Sequence, residues 1–323
     1  MYQTTKTLPR AIAIVGPTAA GKSQLAVEMS QRWQLPLLCC DSVQVYRRLD
    51  IGSAKPSLQE QARTPHFLLD LVDPDQEFSA GEYARHAHQQ LAHGPGIFVG
   101  GTGFYLRAVV WSYSGNASVA RVSMDNGERM AFTTTWQQQE QQEPGSAYRH
   151  LQELDAQTAQ TIHPQNVPRI VRALWLCYSY KTPVSQIRQL DPPQKQISVA
   201  MVVLDPGVEV VDANIQQRCV RMLQNGWLEE VEQLCKAGYD QRYKSMRSLG
   251  YRQLLSVIQG EQNLQQAATE ITNATRKYAR KQRTYFRHQS LADRTFWLTK
   301  PEDCPWGELE HFMAGGWYEP SLA

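Results

Sequence analysis

The feature that most constrains this chain is an octapeptide near its N-terminus. Its residues are Gly16, Pro17, Thr18, Ala19, Ala20, Gly21, Lys22 and Ser23, which fit the phosphate-loop pattern G-x-x-x-x-G-K-[ST]. The glycines let backbone N–H groups curl around an anion, and a helix that follows adds positive potential. Lys22 supplies a mobile charge for the terminal phosphate, and the Ser23 hydroxyl can bind Mg²⁺. The pattern predicts a site for a di- or triphosphate, without saying which one.

The segments around this loop have the order that the pattern requires. A wholly apolar run at 11–15 precedes the loop, and a helical pattern at 22–33 follows it. Four further apolar runs are typical of buried strands, at 37–40, 67–71, 97–99 and 199–204. Strands that alternate with helical segments favour an α/β fold, with a P-loop NTPase-like parallel sheet flanked by helices.

The patterning changes after the fourth strand. Residues 112–145 are polar and lack a core-forming pattern, whereas helical spacing begins at 147 and dominates from 212 to about 291. We therefore expect a small, mainly helical insertion domain and a helical C-terminal region. The predicted divisions are a first part of the core at 1–111, a divergent and mobile insertion at 112–165, a core continuation at 166–295 and a C-terminal tail at 296–323.

Composition narrows the class of protein. The 323 residues carry a net charge of only +2, so any surface for nucleic acid must be local. The six cysteines form no C-x-x-C pair, which indicates reduced thiols rather than a zinc site. The first ten residues lack a signal-peptide pattern, and no stretch approaches the ~20 apolar residues that a membrane span needs. We expect a soluble, cytoplasmic monomer without a membrane partner.

Asp41 directly follows the second predicted strand. In a parallel sheet, the carboxyl ends of the strands share a crevice with the phosphate loop, so Asp41 should face the bound phosphates. An Asp-Ser pair after a strand is also common as a turn or a helix N-cap. The residues alone leave both interpretations open.

A basic cluster lies near the C-terminus. The segment 276–287 carries six arginines and lysines and no acid. On a helix, Arg276, Arg280, Arg283 and Arg287 fall at i, i+4, i+7 and i+11, which predicts one continuous cationic stripe. Such a stripe is either a solvated basic face or a docking surface for a polyanion.

Taken together, these motifs resemble the bacterial tRNA dimethylallyltransferases, also called the IPP transferase family. The resemblance rests on GPTAAGKS (16–23), DSVQVYRRLDIGSAKPS (41–57), HFLLDLVDP (66–74), VGGTGFYLRAV (99–109), IHPQNVPRIVRAL (162–174), RSLGYRQ (247–253) and TRKYARKQRTYFR (275–287). These segments cover most of the chain outside 112–145, which does not match the family. The combination is far more specific than the phosphate loop alone.

The resemblance implies an activity and a set of roles. A dimethylallyl group would pass from dimethylallyl diphosphate to the exocyclic amine of the adenosine immediately 3′ of the anticodon in tRNA. The loop 16–23 would hold the diphosphate, with the cofactor Mg²⁺ on Ser23. Asp41 matches the general base, Thr102 a residue at the reaction centre, and Arg247 a distal arginine that stabilises the leaving diphosphate. A helix N-cap is an equally open role for Thr102.

The resemblance also implies a grip on the anticodon stem-loop of tRNA, centred on the helical region at 166–295. A single-stranded loop suits such an enzyme, because a base can enter a pocket without breaking a duplex. The residues that match RNA contacts of the family are Asp41, Ser42, Val43, Gln44, Thr102, Pro168, Arg169, Ile170, Val171, Arg172, Arg247, Gly250, Tyr251, Arg252, Arg280, Lys281, Gln282, Arg283 and Arg287.

Three other functions compete with this one. A small-molecule kinase would use the same loop for ATP; the strand at 97–99 lacks the usual acid, although Asp70 and Asp73 are candidate substitutes. A prenyltransferase acting on free AMP or ADP would need no basic stripe. A non-catalytic RNA-binding protein would not need an intact Lys22, Ser23 and Asp41.

Overall fold

A computed structural model describes residues 8–112 and 126–315. The chain divides into two compact units: unit 1 is Met1–Trp111 with Lys195–Ala323, and unit 2 is Ser112–Gln194. The strands are β1 (Arg10–Val15), β2 (Leu37–Cys39), β3 (His66–Phe67), β4 (Gly96–Val99), β5 (Trp111–Ser112), β6 (Gln194–Lys195), β7 (Ser198–Leu204) and β8 (Arg294–Leu298). The helices are α1 (Lys22–Trp33), α2 (Leu58–Arg63), α3 (Ala80–Leu91), α4 (Gly103–Val110), α5 (Asn126–Gln142), α6 (Ser146–Leu154), α7 (Ala156–Gln160), α8 (Val167–Tyr180), α9 (Val184–Leu190), α10 (Val208–Gln224), α11 (Trp227–Lys236), α12 (Tyr251–Ile258), α13 (Leu264–His288) and α14 (Trp306–Ala314). Across the two described ranges, no helix is long and apolar enough to cross a bilayer.

Unit 1 is built on one parallel sheet with the strand order β3-β2-β4-β1-β7-β8. The central strand is β1, in which Ile12 pairs with Ile97 on one side and Ala200 on the other. Residues 11–15 are at most 2% exposed, because helices cover both faces of the sheet. The predicted α/β fold with a parallel, P-loop-type sheet is confirmed.

The five predicted strands are all present, but the third is shorter than expected. We predicted a strand at 67–71, whereas β3 ends at Phe67. Leu68 and Asp70 have φ angles of 67° and 51°, in the left-handed region. An extended strand cannot continue through that conformation, so the apolar pattern overstated its length.

The segment assigned to a C-terminal tail is part of unit 1. Strand β8 pairs with β7, where Val202 lies beside Phe296, and in α14 Leu309 and Phe312 are fully buried. The sequence pattern concealed β8 because it is an edge strand: Trp297 is 46% exposed, and only Leu298 is buried. Its apolar residues therefore do not form the continuous run of a central strand.

The described part of unit 2 consists of helices apart from its boundary strands, as expected of a mainly helical insertion domain. Its core contains Leu151 from α6 and Ile170, Val171 and Leu174 from α8. The unit ends at Gln194 rather than at 165, because the buried face of α8 packs within this core. Of the predicted mobile segment 112–145, residues 113–125 lie outside the described residues, whereas α5 spans Asn126–Gln142.

Candidate active site

The phosphate loop connects β1 to α1 in a tight turn. Gly16 has a φ of 132°, and a Cβ at this position would lie 2.2 Å from the carbonyl oxygen of Leu204 in β7. Gly21, at φ 90°, is the N-cap of α1. Only glycine can occupy position 16 without displacing β7. The turn thus brings its backbone N–H groups to the N-terminus of α1, an arrangement that binds phosphate.

A cavity of about 370 Å³ lies against this loop, and we call it the phosphate chamber. Residues 18–23 form one wall, and Asp41, Gly101 and Arg218 contribute from three other segments. All of these segments follow the carboxyl ends of strands or lie on a covering helix. The cavity therefore lies at the carboxyl edge of the sheet, where the sequence predicted the site.

Lys22 lies over the loop that precedes it. Its Nζ donates hydrogen bonds to the carbonyl oxygens of Gly16 at 3.1 Å and Pro17 at 2.6 Å. Burial and, to a smaller extent, the nearby cation Arg218 lower the pKa of Lys22 to about 7, with Asp41 opposing part of the shift. A phosphate anion in the chamber would supply the negative charge that favours the protonated lysine.

Arg218 in α10 is the second cation of the chamber, and the sequence analysis missed it. Its Nη2 donates to Thr18 Oγ1 at 2.8 Å, and burial lowers its pKa while Asp41 counteracts the shift. Helix α10 buries Val211 and Ile215, and Arg218 follows them at i+7 and i+3. An arginine on the buried face of an amphipathic helix was the signal that could have identified it.

Asp41 and Thr102 meet at the ends of β2 and β4. Asp41 Oδ1 accepts a hydrogen bond from Val43 N at 2.8 Å, and Thr102 Oγ1 accepts one from Ser42 N at 3.1 Å. Thr102 occupies the N-cap position of α4, but its side chain makes no cap hydrogen bond. Asp41 therefore both lines the chamber and stabilises a turn. Thr102 fixes the segment that carries Asp41 through its bond from Ser42 N.

A second cavity of about 260 Å³ adjoins the first, and we call it the apolar chamber. It shares five lining residues with the phosphate chamber, namely Thr18, Asp41, Ser53, Ala54 and Arg218. The rest of its lining is mainly apolar and includes Ile215, Met222, Trp227, Leu249 and Ile271. Asp41 thus lies where a phosphate-binding space meets a space suited to a hydrocarbon group.

Gln282 connects the phosphate loop to the Gly-Gly-Thr turn after β4. Its Oε1 accepts from Thr18 N at 2.8 Å, and its Nε2 donates to the carbonyl oxygen of Gly101 at 2.9 Å. A Cβ on Gly101 would lie 2.0 Å from that nitrogen, and Gln282 is only 5% exposed. The side chain of Gln282 is thus buried and holds the loop in this structure, and its role as an RNA contact stays a prediction.

Arg283 also departs from the prediction. Its guanidinium forms two hydrogen bonds with the Asp205 carboxylate, at 2.5 and 2.6 Å, and the two side chains are 10% and 9% exposed. Burial alone would raise the pKa of Asp205, but the hydrogen bonds from Arg283 hold it below its usual range. The continuous solvent-facing stripe is wrong at this position, because a buried guanidinium needs a buried partner.

The other cations of the predicted stripe are nearer to solvent. Asp212 of α10 lies 3.7 Å from Arg276 and 3.4 Å from Arg280, so it offsets part of their charge. Arg280, Lys281 and Arg287 are exposed. These three residues retain the exposure that the predicted RNA contacts require.

The two remaining groups of predicted RNA contacts, at 168–172 and 247–252, also contain both exposed and buried residues. In unit 2, Pro168, Arg169 and Arg172 are exposed, whereas Ile170 and Val171 are 1% and 3% exposed and belong to the core. The helical repeat explains the division, because these residues alternate between the two faces of α8. The side chains of Ile170 and Val171 therefore serve the core of unit 2, and their predicted RNA contacts stay a prediction.

In the segment 247–252, Arg247 and Arg252 are exposed, and Gly250 and Tyr251 are buried. Tyr251 donates its hydroxyl hydrogen to Glu230 Oε1 at 2.8 Å, so its predicted RNA contact is not supported. Arg247 is not among the described residues that line either chamber. Arg218 lines both chambers, whereas the role of Arg247 as the distal arginine stays a prediction.

Comparisons with known proteins agree with this site. The family model described as IPP transferase matches residues 44–289. A tRNA dimethylallyltransferase from Solibacter usitatus is 37% identical over 285 residues, covering 86% of this chain and 90% of that protein. The crystal structure of a tRNA delta(2)-isopentenylpyrophosphate transferase from Staphylococcus epidermidis is 26% identical, with a TM-score of 0.62, and the match covers 95% of this chain and 98% of that one.

A third similarity concerns the fold. A eukaryotic dimethylallyltransferase acting on tRNA aligns with a TM-score of 0.75 at 21% identity, over 97% of this chain and 81% of that one. The family match spans more than half of the chain, and the solved relative from Staphylococcus epidermidis covers nearly all of it. The chain belongs to the tRNA dimethylallyltransferase family, also described as the IPP transferases.

Proposed function

We propose that this protein transfers a dimethylallyl group from dimethylallyl diphosphate to the exocyclic amine of the adenosine immediately 3′ of the anticodon in tRNA. The observation that carries the proposal is the position of Asp41, which lines both the phosphate chamber and the apolar chamber. A prenyl diphosphate has one part for each chamber. The carbon that reacts would lie between them, beside a carboxylate.

The phosphate chamber places positive groups where negative charge develops during the reaction. As the bond between the prenyl carbon and the diphosphate oxygen breaks, negative charge builds on the diphosphate. The amides of the loop, Lys22 and Arg218 converge on that space and would stabilise the leaving group. Arg218 is held against Thr18 before substrate binds, so little reorganisation is needed.

Asp41 is the proposed general base. The amine of adenosine is a poor base, but it becomes acidic as it bonds to carbon, and a carboxylate in hydrogen-bond reach can then take the proton. The contact between Thr102 Oγ1 and Ser42 N holds the residue next to Asp41 in place. Burial, followed by the charge of Asp41, raises the pKa of Tyr278 to about 12, so this neighbour remains a neutral hydroxyl.

The proposed cofactor is Mg²⁺, and the donor chemistry of the chamber fits it. The exposed hydroxyl of Ser23 lines the phosphate chamber and would hold the ion. Mg²⁺ prefers oxygen ligands and often combines one or two protein groups with phosphate oxygens and water. Among the described residues no group of three His, Cys, Asp or Glu forms a dedicated cage, which fits an ion that is bound together with the diphosphate. When bound, it would neutralise part of the charge on the diphosphate.

The exposed cations provide the proposed surface for the anticodon stem-loop. In unit 1 these are Arg280, Lys281 and Arg287 on α13; unit 2 by itself has Arg169 and Arg172 exposed on α8 as separate candidate contacts. Contacts of this kind with phosphates bind RNA independently of sequence and weaken as salt is added. The net charge of +2 makes such local clusters necessary.

Two acids that a kinase could have used are already paired. Asp70 lies 2.6 Å from the Lys55 ammonium, and Asp73 lies 3.2 Å from Arg47. The lysine side chain is only 4% exposed, and Asp70 shares its charge with Asp50, which lies 2.5 Å from the same ammonium. This pairing favours prenyl transfer over phosphoryl transfer from ATP.

The test is incubation with Mg²⁺, radiolabelled dimethylallyl diphosphate and unmodified tRNA that carries adenosine 3′ of the anticodon. The matched control is the same tRNA with guanosine at that position, and AMP is a parallel acceptor. We expect label in the adenosine tRNA alone. Label in AMP alone would favour the mononucleotide enzyme, and phosphoryl transfer from ATP without prenyl transfer would refute the proposal.

A further inference from the structure

A carboxylate outside both chambers holds one wall of the site. Glu230 of α11 accepts hydrogen bonds from three successive backbone N–H groups: its Oε2 from Asp50 at 3.0 Å and Ile51 at 2.7 Å, and its Oε1 from Gly52 at 3.3 Å. The hydroxyl of Tyr251 donates to the same Oε1 at 2.8 Å. Hydrogen bonds to an ionised acceptor are among the stronger ones in proteins, so the turn 50–52 is firmly fixed.

The turn that Glu230 holds lies directly against Trp227, a buried side chain of the apolar chamber. A Cβ on Gly52 would lie 2.0 Å from Trp227 Nε1 and 2.7 Å from the ring of Tyr251. Trp227 is 2% exposed, and it lines the apolar chamber together with residues 52–54. The distance between this turn and the opposite wall therefore limits the length of a group that fits.

We propose that Glu230, assisted by Tyr251, positions the wall 52–54 and so restricts the donor to a short prenyl chain. This inference rests on the proposed function, because the apolar chamber must hold the prenyl group. Glu230 is a positioning residue that acts through the backbone of the turn. An amide in place of this carboxylate would point an NH₂ donor at one of the backbone N–H groups of residues 50–52. The turn would then lose a hydrogen bond and move, which would enlarge the apolar chamber.

The two main bonds that hold the catalytic carboxylate do not involve Glu230, although Gln44 links the segments: its backbone N lies 3.4 Å from Asp41 Oδ1 and its Nε2 donates to the carbonyl oxygens of residues 53 and 54. Asp41 is held by its bond from Val43 N, and its neighbour Ser42 is held by Thr102. Loss of the Glu230 contact should therefore change which donor is accepted without changing the pH dependence of turnover. A residue that only stabilised the fold would lower the activity with every donor by the same factor.

The test compares geranyl diphosphate with dimethylallyl diphosphate, each with tRNA as acceptor. The quantity measured is the ratio of kcat/KM for the ten-carbon donor to that for the five-carbon donor, because the fraction of active enzyme cancels. The variants are Glu230→Gln and Tyr251→Phe, and the matched control is Glu229→Gln, the exposed neighbour in the same helical turn.

We expect the ratio to rise about tenfold or more in Glu230→Gln and by a smaller factor in Tyr251→Phe, with no change in Glu229→Gln. An unchanged ratio in both test variants would overturn the inference. If Glu230→Gln does not fold, Tyr251→Phe decides alone. Wild-type protein that transfers neither prenyl group to tRNA would refute the proposed function and this inference with it, whereas active wild type with unchanged ratios refutes the inference only.

Discussion

Replacing Arg283 with glutamine should destabilise the whole protein, although the residue lies in a segment that was predicted to face RNA. The guanidinium is 10% exposed and forms two short hydrogen bonds with Asp205. Asp205 directly follows β7, whose last residue, Leu204, contacts the phosphate loop at Gly16. Arg283→Gln would leave the Asp205 carboxylate buried without its partner.

The expected loss in the free energy of unfolding is about 3–5 kcal/mol near neutral pH, the range for breaking one side of a buried ion pair. The pKa of Asp205 in the folded protein is lowered by Arg283, so the contribution of the pair is present above the unfolded pKa of about 4. It is lost as the pH falls through the lower folded pKa. The difference between wild type and variant should therefore shrink in acid.

The assay is urea unfolding followed by circular dichroism, with Arg280→Gln as the matched control. Arg280 is 59% exposed on the same helix and has a contact of 3.4 Å with Asp212, so its loss should cost less than about 1 kcal/mol. Adding Asp205→Asn to Arg283→Gln should recover part of the stability, because the unpaired charge is gone. A loss below 1 kcal/mol in Arg283→Gln, with clearly weaker tRNA binding, would refute this reasoning and restore Arg283 to the RNA surface.

Three further predictions concern the chambers. Asp41→Asn should lower kcat by about 10²–10⁴-fold while tRNA affinity, measured by filter binding, stays within a few fold; wild-type turnover would exclude Asp41 as the base. Arg218→Gln should lower kcat by about 10²–10³-fold in steady-state assays, and an effect confined to Arg247→Gln would return the role of distal arginine to that residue. Burial lowers the pKa of Lys22 to about 7, and a bound anion favours its charged form, so binding of a non-reactive thiolodiphosphate analogue at about pH 8.5 should take up a proton. Calorimetry in buffers of different ionisation enthalpy measures the number of protons taken up on binding. Binding without proton uptake would contradict a lowered pKa of Lys22 in the free protein.

Much of the site was predictable because its parts are local in sequence. The glycine, lysine and serine residues of the loop 16–23, at fixed spacing, predict a phosphate-binding turn. The apolar run before the loop indicates a buried strand. Asp41 and Thr102 were found because both directly follow predicted strands, and the carboxyl ends of parallel strands meet at one edge. In the structure they are joined through Ser42.

The residues that were misplaced share a different property. Gln282 bonds Thr18 across 264 positions of the chain, and Arg283 bonds Asp205 across 78. A run of arginines and lysines looks alike whether it faces water, RNA or a buried acid on another element. The pattern at 276–287 predicted the helix but not which of its faces was covered.

The sequence by itself determined the α/β class, the phosphate loop, the presence of five strands along the chain and the family, since each depends on residue types at short, fixed spacings. Only the tertiary structure decided that Arg218 completes the phosphate chamber, that β8 extends the sheet and that Glu230 fixes the wall of the apolar chamber. The physical reason is that burial and pairing are settled between distant segments. A charged side chain acquires its partner, and therefore its role, only when the elements pack.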